Sequence, residues 1–135
     1  MSRVSLFHVA ASALALTIAA PAIAQDTDEA PEWDVSNPPL PTRPVTIDVT
    51  EGTWMNVDVS PNGQTIAFDL LGDIYTMPIS GGTPTRIASG LAWEVQPRFS
   101  PDGARIAFTS DRGGGDNIWV MDANGGNMRQ VTNES

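Results

Sequence analysis

The sequence predicts an all-β chain of repeated four-stranded antiparallel units, and three observations carry that prediction. A ten-residue hairpin signature occurs twice. Phe99-Ser100-Pro101-Asp102-Gly103-Ala104-Arg105-Ile106-Ala107-Phe108 echoes Val59-Ser60-Pro61-Asn62-Gly63-Gln64-Thr65-Ile66-Ala67-Phe68, with Ser, Pro, Gly, Ile, Ala and Phe recurring in the same places. Proline presets φ at the first turn position, Asn or Asp follows, and glycine supplies the positive φ that closes a short hairpin with a bulge. The two copies stand 40 residues apart, which is the period of a four-stranded propeller blade. The match also runs on past the hairpin: Tyr75 corresponds to Trp119, Gly81-Gly82 to Gly125-Gly126, Ile87 to Val131 and Trp54 to Trp93. The chain therefore reads as β-propeller repeats, about two blades of a larger ring, preceded by a signal peptide and an extended Pro-rich strap.

The elements follow in order. In residues 1–24, Arg3 precedes an uncharged run that ends in Ala22-Ile23-Ala24. A basic start, an apolar centre and a small-x-small end define a signal peptide cleaved after Ala24. A retained anchor would not end in small residues before an acidic, Pro-rich stretch. No twin-arginine pair is present, so the expected route is general secretion and the expected location periplasmic or secreted. Residues 25–44 hold five of the eleven prolines, five acids and no glycine, an acidic linker whose Trp33 should lay it along a surface. Residues 45–51 contain Val45-Thr46-Ile47-Asp48-Val49-Thr50, whose period of two predicts a lone strand of the kind that closes a propeller ring.

Residues 52–89 form the first expected blade, with strands at 56–60, 65–69, 73–79 and 85–88. Residues 90–135 form the second blade and the start of the next, with strands at 96–100, 105–109, 117–122 and 129–132. In its third strand apolar residues occupy both faces, Ile118 and Val120 on one, Trp119 and Met121 on the other. Such a strand needs cover on both sides, which neighbouring blades supply.

Composition narrows the function. Beyond Ala24 there are six Arg, no Lys, no Cys and no His against sixteen acids, a net charge of about −10 by that difference. A nucleic-acid reader shows a basic stripe for phosphates, so no nucleic-acid partner is expected. Packing rather than disulfides must hold the fold. No second apolar run reaches the length of a span, so no membrane crossing is expected after signal cleavage.

The chemistry is mostly absence. His8, the sole histidine, leaves with the signal peptide, which removes a histidine metal site, a Ser-His-Asp triad and a Cys-His pair. There is no Gly-x-Ser-x-Gly elbow and no phosphate-binding glycine loop with lysine. Hence no catalytic, cofactor-binding or metal-binding residue is expected in this stretch. The 111–117 loop offers several oxygens without the alternating spacing of a calcium loop and reads as a solvated turn. Trp54 and Trp93 are expected to pack between blades.

Ser-Pro-Asp-Gly, an Ile-Ala-Phe strand and Asp116-Asn117-Ile118-Trp119-Val120-Met121-Asp122 together resemble the repeats of TolB-like propellers. The same repeats occur in tricorn-type proteases and ahead of the catalytic domain of prolyl-oligopeptidase relatives. Trp33-Asp34-Val35-Ser36-Asn37-Pro38-Pro39, Phe68-Asp69-Leu70-Leu71-Gly72-Asp73-Ile74-Tyr75 and Gln96-Pro97-Arg98-Phe99-Ser100-Pro101 look like the start of exported amidohydrolase-family proteins. There a TolB-like propeller precedes a metal-dependent amidohydrolase barrel. The resemblance implies a scaffolding or substrate-access role beside a downstream catalytic domain. It also implies a divalent metal, such as zinc, for the parent protein only. The alternatives are a non-enzymatic propeller that binds an envelope protein, and the propeller of a prolyl-oligopeptidase or tricorn-type peptidase.

Overall fold

The computed structural model describes residues 33–134. The signal peptide expected at 1–24 and the first part of the linker lie outside the described residues. Eight strands follow one another: β1 (Val57–Val59), β2 (Thr65–Leu70), β3 (Asp73–Pro78), β4 (Thr85–Ala88), β5 (Glu94–Phe99), β6 (Arg105–Ser110), β7 (Asn117–Asp122) and β8 (Arg129–Gln130). They form two four-stranded sheets, β1-β2-β3-β4 and β5-β6-β7-β8, each an antiparallel meander in chain order. No described residue is helical. This is the blade architecture that the repeat predicts.

The repeated signature makes the same turn in both sheets. Gly63 donates its N–H to the Ser60 carbonyl at 2.8 Å, and Gly103 does the same to Ser100 at 2.8 Å. Both glycines sit at φ +69°. The Asn62 or Asp102 side chain accepts from Ser60 Oγ or Ser100 Oγ and from the backbone N–H two residues on. That side-chain turn pairs the serine hydroxyl and the N–H of residue 64 or 104 with one oxygen.

Register places the hydrophobic core. Successive residues of a strand face opposite sides of its sheet, so Ala67, Ile74 and Ala88 fall on one face of the first sheet. They meet Ile106, Phe108 and Met121 from the second sheet, and these six residues form the buried core cluster. Pro97 is also fully buried. The core thus lies between the blades, not inside either. Each large side chain buried there contributes on the order of 2 kcal/mol by leaving water. The first blade's other face, with Val57, Ile66, Phe68, Leu70 and Met77, lines an open apolar cavity of about 570 Å³.

β5 carries a bulge between Val95 and Arg98, made by Gln96 at φ +58°. Pro97 lacks an N–H and could not extend a regular ladder, so the irregularity falls where a ladder bond is unobtainable. The freed Gln96 N–H turns instead to Asp69 of the first blade at 2.7 Å.

Three expectations need correction. Residues 45–51 form no strand, and Val45, Ile47 and Val49 are exposed. Period-two patterning makes a strand only where a sheet edge offers ladder bonds, and neither sheet pairs with this segment. The strap is not extended at residues 34–37: the Asn37 N–H donates to the Asp34 carbonyl and the Ser36 N–H to Asp34 Oδ1, a tight Asx turn. The last strand stops at Gln130 rather than 132, because Ile118 N–H is taken by Thr132 Oγ1 instead of a ladder carbonyl.

Candidate functional site

Chain direction sorts the connections to two ends of the sheets. One end holds the repeated hairpin tips and the Gly81-Gly82 and Gly125-Gly126 turns. The other holds residue 54, the Leu71-Gly72 turn, the 89–93 link between blades, the 111–116 loop and residues 131–134. The distinctive polar and aromatic groups gather at this second end.

Two carboxylates pin the blades together along β5. Asp69, 3% exposed, accepts from Asn56 N at 2.8 Å, Asn56 Nδ2 at 2.8 Å and Gln96 N at 2.7 Å. Asp58 accepts the Phe99 N–H at 2.7 Å. The Glu94 N–H donates to the Gly72 carbonyl at 2.9 Å. Three backbone donors of β5 therefore find their acceptors in the preceding blade. Neither aspartate was singled out for a role from the sequence, because each sits in a strand and Asp69 appears only as one member of the Phe68–Tyr75 run; Pro97 within β5 is the signal that could have pointed to them.

Glu94 is fully buried and pairs with Arg112, which also donates to the Ser89 carbonyl at 3.2 Å. Glu94 Oε2 and Arg112 Nε have no partner. Burial pushes the Glu94 carboxyl above its ordinary value of 4.5; the Arg112 hydrogen bond and charge oppose the shift, and Asp73 and Asp111 add to it. A carboxyl that binds its proton more tightly folded than unfolded adds stability as pH falls from above its raised value toward 4.5, and withdraws it as pH rises. Asp102 works the other way. Ser100 Oγ and the Ala104 N–H hold it below 3.8, so its contribution is present above that value and is lost as pH falls further. Melting temperature against pH should therefore rise on mild acidification and then fall. Glu94→Gln should erase the rising limb and leave the falling one.

The aromatic groups divide. Trp93 lies on the Leu71-Gly72 turn of the first blade so closely that a Cβ on Gly72 would lie 2.8 Å from its ring; it meets the neighbouring blade on that side and remains 56% exposed on the other. Trp54 is 99% exposed, a correction to the expected packing between blades. The matching position takes its turn from the blade before it, and among the described residues no blade precedes the first. Trp54 at φ +58° and Leu71 at φ +56° hold left-handed backbone. That conformation costs a non-glycine residue about 1 kcal/mol or more.

The expected turn at 111–117 is occupied by structural bonds. Asp111 accepts the Trp93 N–H at 2.7 Å, and Asn117 pairs with Thr132 and Glu134. Trp33, Asp34 and Val35 share a cavity with Arg112, Gly113 and Gly114. Among the described residues no cluster of His, Cys, Asp or Glu is grouped to hold a metal ion. The described residues contain no helix long and apolar enough to cross a membrane.

Residues 51–135 match the family model of the tricorn protease N-terminal β-propeller domain. This chain belongs to that family. It is 33% identical over 72 residues to tricorn protease homolog 1 of Streptomyces coelicolor, covering 53% of this chain and 7% of that protein. It is 34% identical over 80 residues to an uncharacterised protein of Agrobacterium fabrum, covering 56% of this chain and 27% of the relative. A solved TolB-like structure from Agrobacterium tumefaciens superposes with a TM-score of 0.56 at 31% identity, covering 63% of this chain and 32% of that one. The stretch that matches this chain thus spans less than a third of each of these three proteins.

Proposed function

We propose that this tricorn-family propeller segment is a non-catalytic scaffold that flanks, and controls access to, the active site of a larger exported hydrolase. The observation that supports it most directly is the position of the core. Apolar packing lies between the blades, and the first blade's far face keeps an open apolar lining. Units that bury their cores against neighbours work as parts of a longer array. The tricorn-type relative supports a peptidase parent. The strap and the Leu70-Leu71-Gly72-Asp73 run support an amidohydrolase parent holding a divalent metal such as zinc outside this stretch. The similarity to a TolB-like structure supports a third reading, an envelope-binding propeller without chemistry, which shares the periplasmic location.

The test is to purify the native protein from the periplasm, measure its intact mass and assay amide hydrolysis. The proposal expects a mass several times that of these 135 residues, with hydrolase activity. Loss of activity to a chelator would identify the amidohydrolase parent, and covalent labelling by a fluorophosphonate the serine peptidase parent. A large protein without hydrolase activity would sink the enzyme reading in favour of the binding propeller.

A further inference from the structure

The dipeptide Asn-Gly occurs twice, at Asn62-Gly63 and Asn124-Gly125, and the fold holds the two pairs differently. Asparagine is a thermolabile residue. Beside glycine it is most exposed to attack by the next main-chain nitrogen on its side-chain carbonyl, because no side chain hinders the approach. At both pairs the glycine N–H donates to the carbonyl three residues back at 2.8 Å, Gly63 to Ser60 and Gly125 to Asp122. The bond that must open first is therefore the same.

The carbonyl under attack is not. Asn62 Oδ1 accepts from Ser60 Oγ at 2.7 Å and from the Gln64 N–H at 3.1 Å. The buried Ser60 hydroxyl itself accepts the Thr65 N–H at 2.9 Å, which aims its proton at Asn62. Two donors on one oxygen draw electrons from the carbon and receive the negative charge that develops in the attack. Among the described residues Asn124 Oδ1 accepts only the Gly126 N–H, at 3.0 Å.

The glycines differ as well. A Cβ on Gly125 would lie 2.4 Å from the Ile87 carbonyl oxygen, so that turn is seated against the first blade. A Cβ on Gly63 would meet nothing within 4 Å. A blade on either side leaves this position open: Asn62 has the second blade beside it, Asp102 has the first, and both are exposed. The second blade also displays the aspartyl form of the turn. Asp102 stands at the place of Asn62, accepts from Ser100 Oγ and the Ala104 N–H, and precedes a glycine at the same φ of +69°.

We propose that Asn62 is a site of spontaneous deamidation, converted within its turn to the aspartate that the second blade already carries. The Gly63 nitrogen gives its proton to solvent base and bonds to Asn62 Cγ. The bond from Cγ to the amide nitrogen breaks, and ammonia leaves with a proton from water. Water then opens the cyclic imide at Cγ, which returns a proton to the Gly63 nitrogen, restores the main chain and leaves a carboxylate. Opening at the main-chain carbonyl would give isoaspartate, whose extra main-chain carbon is at odds with the Gly63–Ser60 bond. The reaction adds negative charge to the hairpin tip and goes beyond the scaffold reading, whichever parent the propeller serves.

The experiment incubates the full-length protein in mildly alkaline buffer and follows both Asn-Gly peptides by mass spectrometry. In the folded protein the pair at 62 should convert about tenfold faster than the pair at 124, and in denaturant the two rates should converge. Ser60→Ala should slow conversion at 62, whereas a merely structural serine would, once removed, loosen the turn and speed it. Asn62→Asp, the product made directly, should melt with the parent. Equal rates in the folded protein, faster conversion at 124, or no conversion at 62 would each overturn the proposal. So would an excess of isoaspartate, faster conversion in Ser60→Ala, or an Asn62→Asp variant that melts well below the parent.

Discussion

Gly125→Val is expected to be the most damaging single substitution in either sheet. The residue lies in the turn between β7 and β8 at φ +90°, and a Cβ there would overlap the Ile87 carbonyl oxygen of the first blade. Two penalties combine. Left-handed backbone costs a β-branched residue about 2 kcal/mol, and the overlap can be relieved only by moving β4 away from the turn, which adds about 2 kcal/mol of disturbed packing. Gly81→Val is the matched comparison. Its φ is +88° and its would-be Cβ meets nothing within 4 Å, so it carries the backbone penalty alone. Denaturant unfolding of the full-length protein should show the Gly125 variant losing about twice as much stability as the Gly81 variant. Equal losses would mean that the turn does not seat against Ile87.

Asp69→Ala should be nearly as costly. The side chain accepts three hydrogen bonds, two of them from the backbone N–H groups of Asn56, just before β1, and Gln96, at the β5 bulge. Each charge-assisted bond contributes about 1.5 kcal/mol, and donors left unpaired in a buried place cost more, so a loss of about 4 kcal/mol is expected. Asp69→Asn provides a gradation. Its one carbonyl oxygen can serve the two donors that face Oδ2, leaving the third opposite an amide group, and the expected loss is about half as large. Thermal melts ordered wild type, Asn, Ala would support the anchor. A variant pair that melts with wild type would show that water replaces the carboxylate.

The repeat made the fold legible because turn chemistry and strand periodicity agree in both copies. Ser-Pro-Asn-Gly and Ser-Pro-Asp-Gly fix the hairpins locally, and Ile-Ala-Phe fixes which residues turn toward a neighbour. What stayed hidden depends on cross-blade geometry. Asp58 and Asp69 look like ordinary strand-end acids until β5 is laid beside β1 and β2. Glu94 looks like a solvated surface residue until Arg112 folds across it. Val45 to Val49 shows the opposite failure, since an alternating pattern needs an edge to pair with and pattern alone cannot provide one. Trp54 misled for a related reason. Its sequence twin Trp93 rests on the turn of the blade before it, and among the described residues no such turn precedes Trp54.

The carboxylate anchors have a consequence for assembly order. At the repeat positions of Asp58 and Asp69 the second blade carries Arg98 and Thr109. Arg98 cannot receive a backbone N–H, and Thr109 offers a single hydroxyl where Asp69 offers two carboxylate oxygens. Two blades similar enough to be confused during synthesis are therefore told apart by what each accepts from its successor. A neighbour offered the Arg98 and Thr109 positions in place of Asp58 and Asp69 would leave its Phe99-type and Gln96-type amides without carboxylate acceptors.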